Sequence, residues 1–295
     1  MRDDGRESSN VEDRRGGGGG GGSGLGGLGG LLLGGMRGKS IGVILVVAAA
    51  AYFFDIDPTL IMRLLGVGEG TVTESSAPVQ QIPANDKLAK FVSVVLADTE
   101  DVWRERFQAI GKEYRDPKLV LFRGSTPTPC GKGKSAMGPF YCPADQKVYI
   151  DLTFYQELKS SYRAPGDFAQ AYVIGHEVGH HVQNLLGTMR KLRQQQEGAS
   201  ESAANALSVK LELQADCYAG VWAHHAHKQR QILEEGDIEE AMTAAASIGD
   251  DTLQKRSGQS VQPESFTHGS SAERVRWFKT GMQSGDLQAC DTFNL

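Results

Sequence analysis

The chain has 295 residues, with 31 Lys and Arg against 36 Asp and Glu, a formal net charge of −5 at pH 7. No excess of positive charge is present to draw a polyanion to the surface, so nucleic acid is excluded as a partner. Once a glycine-rich start is set aside, the remaining length suits one domain of ordinary size.

Residues 1–15 are charged and mixed in sign, and residues 16–35 hold 14 glycines among leucines and one serine. Such a composition cannot offset the entropy of ordering, so residues 1–39 are expected to form a disordered tail. Ile41 to Phe54 is an uncharged, largely apolar run, preceded by Arg37 and Lys39 and followed by Asp55 and Asp57. That asymmetry points the amino terminus to the cytoplasm. The run is short beside the roughly 20 residues of a spanning helix, and its length also suits a cleavable signal. A transmembrane anchor over residues 40–56 is the preferred reading, because the polyglycine before it and the Pro/Gly-containing stretch after it leave a soluble helix nothing to pack on. Anchor and signal alike send the rest of the chain out of the cytoplasm. Residues 57–84, with Pro78 and Pro83, read as a linker, and residues 85–295 as the domain.

Within the domain, Leu88, Phe91, Val92, Val95, Leu96, Val102, Trp103, Phe107 and Ile110 recur at helical spacing, predicting two amphipathic helices or one broken helix. Lys118 to Phe122 and Lys147 to Leu152 read as short strands. Helices are expected over Asp167 to Leu186, ended by Gly187, and from Ser200 to about Ala226. Asp237 with Glu240, and Ser270 with Glu273, each have the spacing of a capping box. The fold class is therefore α+β, mostly helical with a small sheet. Cys130 and Cys142 enclose a glycine-rich stretch that pairing would staple in an oxidising compartment, leaving Cys217 and Cys290 for each other.

The chemistry concentrates in AYVIGHEVGHHVQNLLG. His176, Glu177 and His180 match H-E-x-x-H, and on a helix this spacing projects both imidazoles from one face, close enough to bind one ion. Glu177 beside them can take a proton from a metal-bound water. A catalytic zinc usually takes three protein ligands. Glu212 is the best third candidate, and Asp216, four residues on, can accept the other ring N–H of a ligand histidine. His224, His225 and His227 read as a solvated helix end rather than a second metal site.

HEVGHH, a downstream ELQAD and then FTHGSSAERVRWF together resemble the bacterial putative neutral zinc metallopeptidase family, over nearly the whole chain. Members share a glycine-rich amino terminus and one membrane segment. The resemblance implies a zincin-like domain with one Zn2+ per chain, a single-pass place in a bacterial cell membrane with the catalytic domain outside, and a peptide or protein substrate. More distantly, E-x-x-A-D and T-H-x-x-x-x-x-R are similar to integral-membrane gluzincins. That similarity implies Glu212 as third ligand, Glu177 as general base and His268 as a group stabilising the oxyanion, with Arg274 near it. Gly269 departs from the distant pattern, which has proline there. In resembling zincins an edge strand aligns the peptide, a role open to Lys147 to Leu152 if it is not an ordinary core strand. Two other functions compete: a non-catalytic, zinc-containing envelope binding protein, and a zinc hydrolase acting on a non-protein amide.

Overall fold

The computed structural model describes residues 1–17 and 82–294. The expected anchor at 40–56 and most of the expected linker lie outside the described residues. No described helix is long and apolar enough to cross a membrane.

The first helix, α1 (Lys87–Ala109), is continuous rather than broken, and starts where the Asp86 side chain accepts the Ala89 amide. It packs against a four-stranded sheet of β1 (Val11–Asp13), β2 (Lys118–Phe122), β5 (Phe140–Cys142) and β6 (Lys147–Asp151), in the order β1-β2-β6-β5. β1 and β6 each run parallel to β2, and β5 runs antiparallel to β6. A separate hairpin, β3 (Ser125–Thr128) with β4 (Gly131–Lys134), is tied to β5 by the Cys130–Cys142 disulfide. Short helix α2 (Thr153–Ser160) follows β6, and the rest is helical: α3 (Asp167–Leu186), α4 (Thr188–Gln196), α5 (Glu201–Arg230), α6 (Asp237–Ser247), α7 (Asp250–Arg256) and α8 (Ser271–Ser284). The α+β expectation is met. α3 ends on Gly187 with φ +82°, a left-handed stop that glycine takes without strain.

Three readings are decided or corrected. β6 lies between β2 and β5, so of the two alternatives for Lys147 to Leu152 the ordinary interior strand holds, and β5 lies at the sheet's edge. At α6 the cap position is Gly236, and Asp237 and Glu240 make no capping box. Asp237 instead accepts the Glu234 amide, and Glu240 accepts the Phe168 amide at the start of α3. The box at Ser270 and Glu273 is present.

The third reading concerns the amino terminus. Val11 pairs with Leu119 and Asp13 with Leu121, so residues 1–17 belong to the same folded unit as the rest of the domain and not to a disordered tail. Composition missed this because charge itself does the anchoring: the Glu12 carboxylate meets Arg14, Lys118 and Lys147, and Arg15 reaches both Asp13 and Asp86. The Met1 amine lies against Asp167, Glu234 and Asp237.

Burial opposes ionisation of Glu12, but hydrogen bonds from Lys147, Arg14 and Lys118 outweigh it and bring its pKa from 4.5 down to about 2. A depressed carboxylate contributes stability above its unfolded pKa and loses it as pH falls through the folded one. Docking of β1 is therefore expected to weaken between pH 4.5 and about 2. Hydrogen exchange at Val11 to Asp13 would show it, and Glu12→Gln should reduce the pH dependence in that window, Asp13 and Asp86 with their Arg15 partner supplying the remainder. An unchanged profile in the variant would count against this anchoring.

Candidate active site

α3 is buried over most of its length, and two glycines let α5 approach its H-E-x-x-H stretch closely. A Cβ on Gly179 would meet the Ala215 carbonyl oxygen at 2.9 Å, and one on Gly175 would meet the Trp222 ring at 2.7 Å. The motif residue between the two histidines is thus small because another helix backbone passes there. This contact brings Glu212 and Asp216 of α5 against His176 and His180 of α3.

The two imidazoles stand with ring centroids 4.8 Å apart and planes at 86°. His176 Nε2 lies 3.2 Å from Glu212 Oε2, and His180 Nε2 lies 3.3 Å from Glu212 Oε1. Zinc ligands about 2.0–2.1 Å from a tetrahedral ion are about 3.3 Å from one another, so these donors fit zinc in both type and spacing. Among the described residues, a second cluster with metal-like spacing is Asp167, Asp237 and Glu240. There the Met1 ammonium already lies against two of the three carboxylates.

Behind His176, the Asp216 carboxylate is fully buried. Its Oδ1 accepts from His176 Nδ1 at 2.8 Å and from the Tyr172 hydroxyl at 2.5 Å. Arg274 of α8 grips both oxygens, Nε to Oδ2 at 2.9 Å and NH2 to Oδ1 at 3.0 Å. The His176 proton is thereby fixed on Nδ1, leaving the Nε2 lone pair for a cation. Burial works against the Asp216 charge, but Arg274 and then His176 prevail and hold its pKa at about 2. Glu212 is also held well below its ordinary range, as the two histidines overcome its burial. Glu177 is shifted the other way, raised chiefly by burial. It accepts no hydrogen bond from another described residue, which leaves its oxygens free for a substrate proton.

His176, Glu177, His180, Glu212, His268 and Arg274 all line one cavity of about 570 Å³. His268 sits on its wall with a side chain 51 % exposed, and Asp250 holds it through the backbone amide and raises its pKa by a side-chain hydrogen bond. The lining also includes Met137, Phe140 and Tyr141, so edge strand β5 borders the cavity. Arg274, named with Asp216 as an outer partner of the site, holds that carboxylate against His176 and lines the same cavity. Sequence reasoning missed Tyr172; its spacing of four residues before His176 on an apolar helix was the available signal. Of the three histidines expected at a solvated helix end, His227 is exposed, His224 is half-buried and bonds the Met282 carbonyl, and His225 is buried and bonds the Gly285 carbonyl at the end of α8.

Residues 1–293 match the family described as putative neutral zinc metallopeptidase. The chain belongs to this family. This zinc metallopeptidase family member is 51% identical over 289 residues to the uncharacterised protein YpfJ of Escherichia coli, covering 98% of this chain and 96% of that one. An uncharacterised protein of Mycobacterium tuberculosis is 44% identical over 191 residues, 61% of this chain and 64% of its own. No solved structure matches the chain. The family name implies zinc, and the donor set on α3 and α5 suits it.

Proposed function

We propose that this family member hydrolyses peptide bonds at a single zinc site formed by His176, His180 and Glu212, with Glu177 as general base. One observation carries the reading: two Nε2 atoms converge on the Glu212 carboxylate at zinc-ligand spacing, beside a carboxylate that no other described residue engages. A bound zinc would supply a Lewis acid that makes water acidic enough to lose a proton near neutral pH.

The chain's own residues do the rest. Glu177 accepts that proton and returns it to the departing amine. His268 faces the same cavity as a donor to the negative charge that develops on the carbonyl oxygen. Asp216, held by Arg274 and Tyr172, keeps His176 oriented. Among the described residues β5 pairs on one side only, and its other side offers backbone groups to which an extended peptide can add as a further strand. A sheet edge bordering an H-E-x-x-H helix supports the zincin-like reading. We further propose that the protein is held at a membrane through residues 40–56.

Chelator treatment of the detergent-solubilised full chain is expected to abolish cleavage of a denatured protein, and stoichiometric zinc to restore it. Cleavage that persists with all metal removed overturns the reading. Turnover of small amides without cleavage of any protein would favour the amide hydrolase instead.

A further inference from the structure

The two candidate ligand histidines are held from behind by different chemistry. His176 leans on a carboxylate, whereas His180 Nδ1 lies 2.9 Å from Oε1 of Gln183, a neutral amide on the same helix. Gln183 is completely buried. Its Nε2 donates to the Leu211 carbonyl at 2.7 Å and to Gln214 Oε1 at 3.1 Å. Gln214 in turn donates through Nε2 to the Cys290 carbonyl at 3.0 Å. Cys290 ends the short turn Leu287–Cys290 and is disulfide-bonded to Cys217 of α5. The buried Thr292 just beyond it donates to the Lys210 carbonyl, so the disulfide, the Gln214 amide and this hydroxyl all tie the C-terminal turn to α5.

The direction of every bond in this chain is determined, because a backbone carbonyl can only accept. Cys290 obliges Gln214 to present its nitrogen, so the Gln214 oxygen faces Gln183. The Leu211 carbonyl and the Gln214 oxygen both then require the Gln183 nitrogen, which turns the Gln183 oxygen towards His180. His180 Nδ1 must therefore carry the proton, and the lone pair falls on Nε2, the atom facing Glu212. Leu211 directly precedes Glu212, so the same amide also holds the backbone beside the third ligand.

We propose that Gln183 and Gln214 are positioning residues that form a relay, through which the disulfide-tethered C-terminal turn fixes the tautomer and place of His180 in the metal site. The relay rests on the zinc reading above. In the full chain, the zinc dissociation constant is measured by chelator competition, and the Co2+ absorption spectrum reports ligand geometry independently of activity. Loss of an outer-shell partner typically costs 10–100-fold in metal affinity, and Gln183→Met is expected to lose roughly that much. Gln214→Met touches no ligand, yet is expected to weaken zinc by about tenfold on the same basis and to shift the Co2+ spectrum. The double variant should bind no more weakly than Gln183→Met alone, because Gln214 acts only through Gln183. Should Gln183→Met fail to fold, Gln214→Met alone still decides. Unaltered affinity and spectrum in Gln214→Met, or losses that multiply in the double variant, overturn the relay. A wild-type protein that binds no zinc at all would defeat the zinc reading itself and the relay with it.

Discussion

Glu177→Gln is expected to leave the protein folded and able to bind zinc while lowering the turnover number for peptide cleavage by about 10²–10⁴-fold, the usual span for a lost general base. The substitution is isosteric, and the carboxylate it removes is no part of the convergent donor set of His176, His180 and Glu212. It also removes a buried acid whose pKa is raised mainly by burial and which lacks a donor among the described residues. Thermal stability at neutral pH should therefore stay level or rise, the familiar exchange of stability for activity at a catalytic position. Zinc analysis, a melting curve and a cleavage assay on one preparation separate the three quantities. Full turnover in this variant would remove Glu177 from the mechanism.

Arg274→Met should cost about 3–5 kcal/mol of folding stability, since it strands the Asp216 carboxylate in the interior without its cation. Arg274 is 2 % exposed and Asp216 fully buried, and Arg274 touches both carboxylate oxygens, so solvent cannot make good the loss. Zinc affinity should fall as well, by about 10–100-fold, because Asp216 would no longer be held against His176 Nδ1. The double variant Arg274→Met, Asp216→Leu distinguishes the two effects. Replacing a buried pair by apolar side chains is often neutral for stability, so its urea midpoint should recover towards wild type. Its zinc affinity should not recover, for His176 still lacks an acceptor. A double variant as unstable as the single one would show that stability is lost through packing of the Arg274 stem instead.

Much of the helical architecture was legible because its signals are local. H-E-x-x-H needs only the geometry of one turn, the stop at Gly187 only one left-handed residue, and the box at Ser270 and Glu273 only one first turn. Glu212 and Asp216 could be found because helical spacing relates them to each other and the motif supplies their partner. What failed was long-range. Whether Lys147 to Asp151 is an edge or an interior strand depends on Phe140–Cys142 lying beside it, which its own composition does not encode. β1 is only three residues long, two of them acidic, with no periodicity to detect and a partner strand at Leu119 to Leu121. Asp237 and Glu240 had the spacing of a box, but α6 starts on a left-handed glycine and their carboxylates are engaged elsewhere. Gln183 and Gln214 were silent because glutamine belongs to no metal-site motif, and only the packing of α3 on α5 brings them together.

The ion pair between Arg15 and Asp86, 2.7 Å from NH1 to Oδ2, holds the segment after β1 against the start of α1. A truncation that starts at α1, the obvious choice for making the domain without the apolar stretch, would strip β2 of a neighbour and leave the basic side chains around Glu12 without their carboxylate. Grafting residues 1–17 onto residue 82 through a few glycines keeps both, and because loop-closure entropy rises only slowly with length, such an excision should be well tolerated. The smallest self-sufficient form of this protein is thus a spliced chain and not a shortened one.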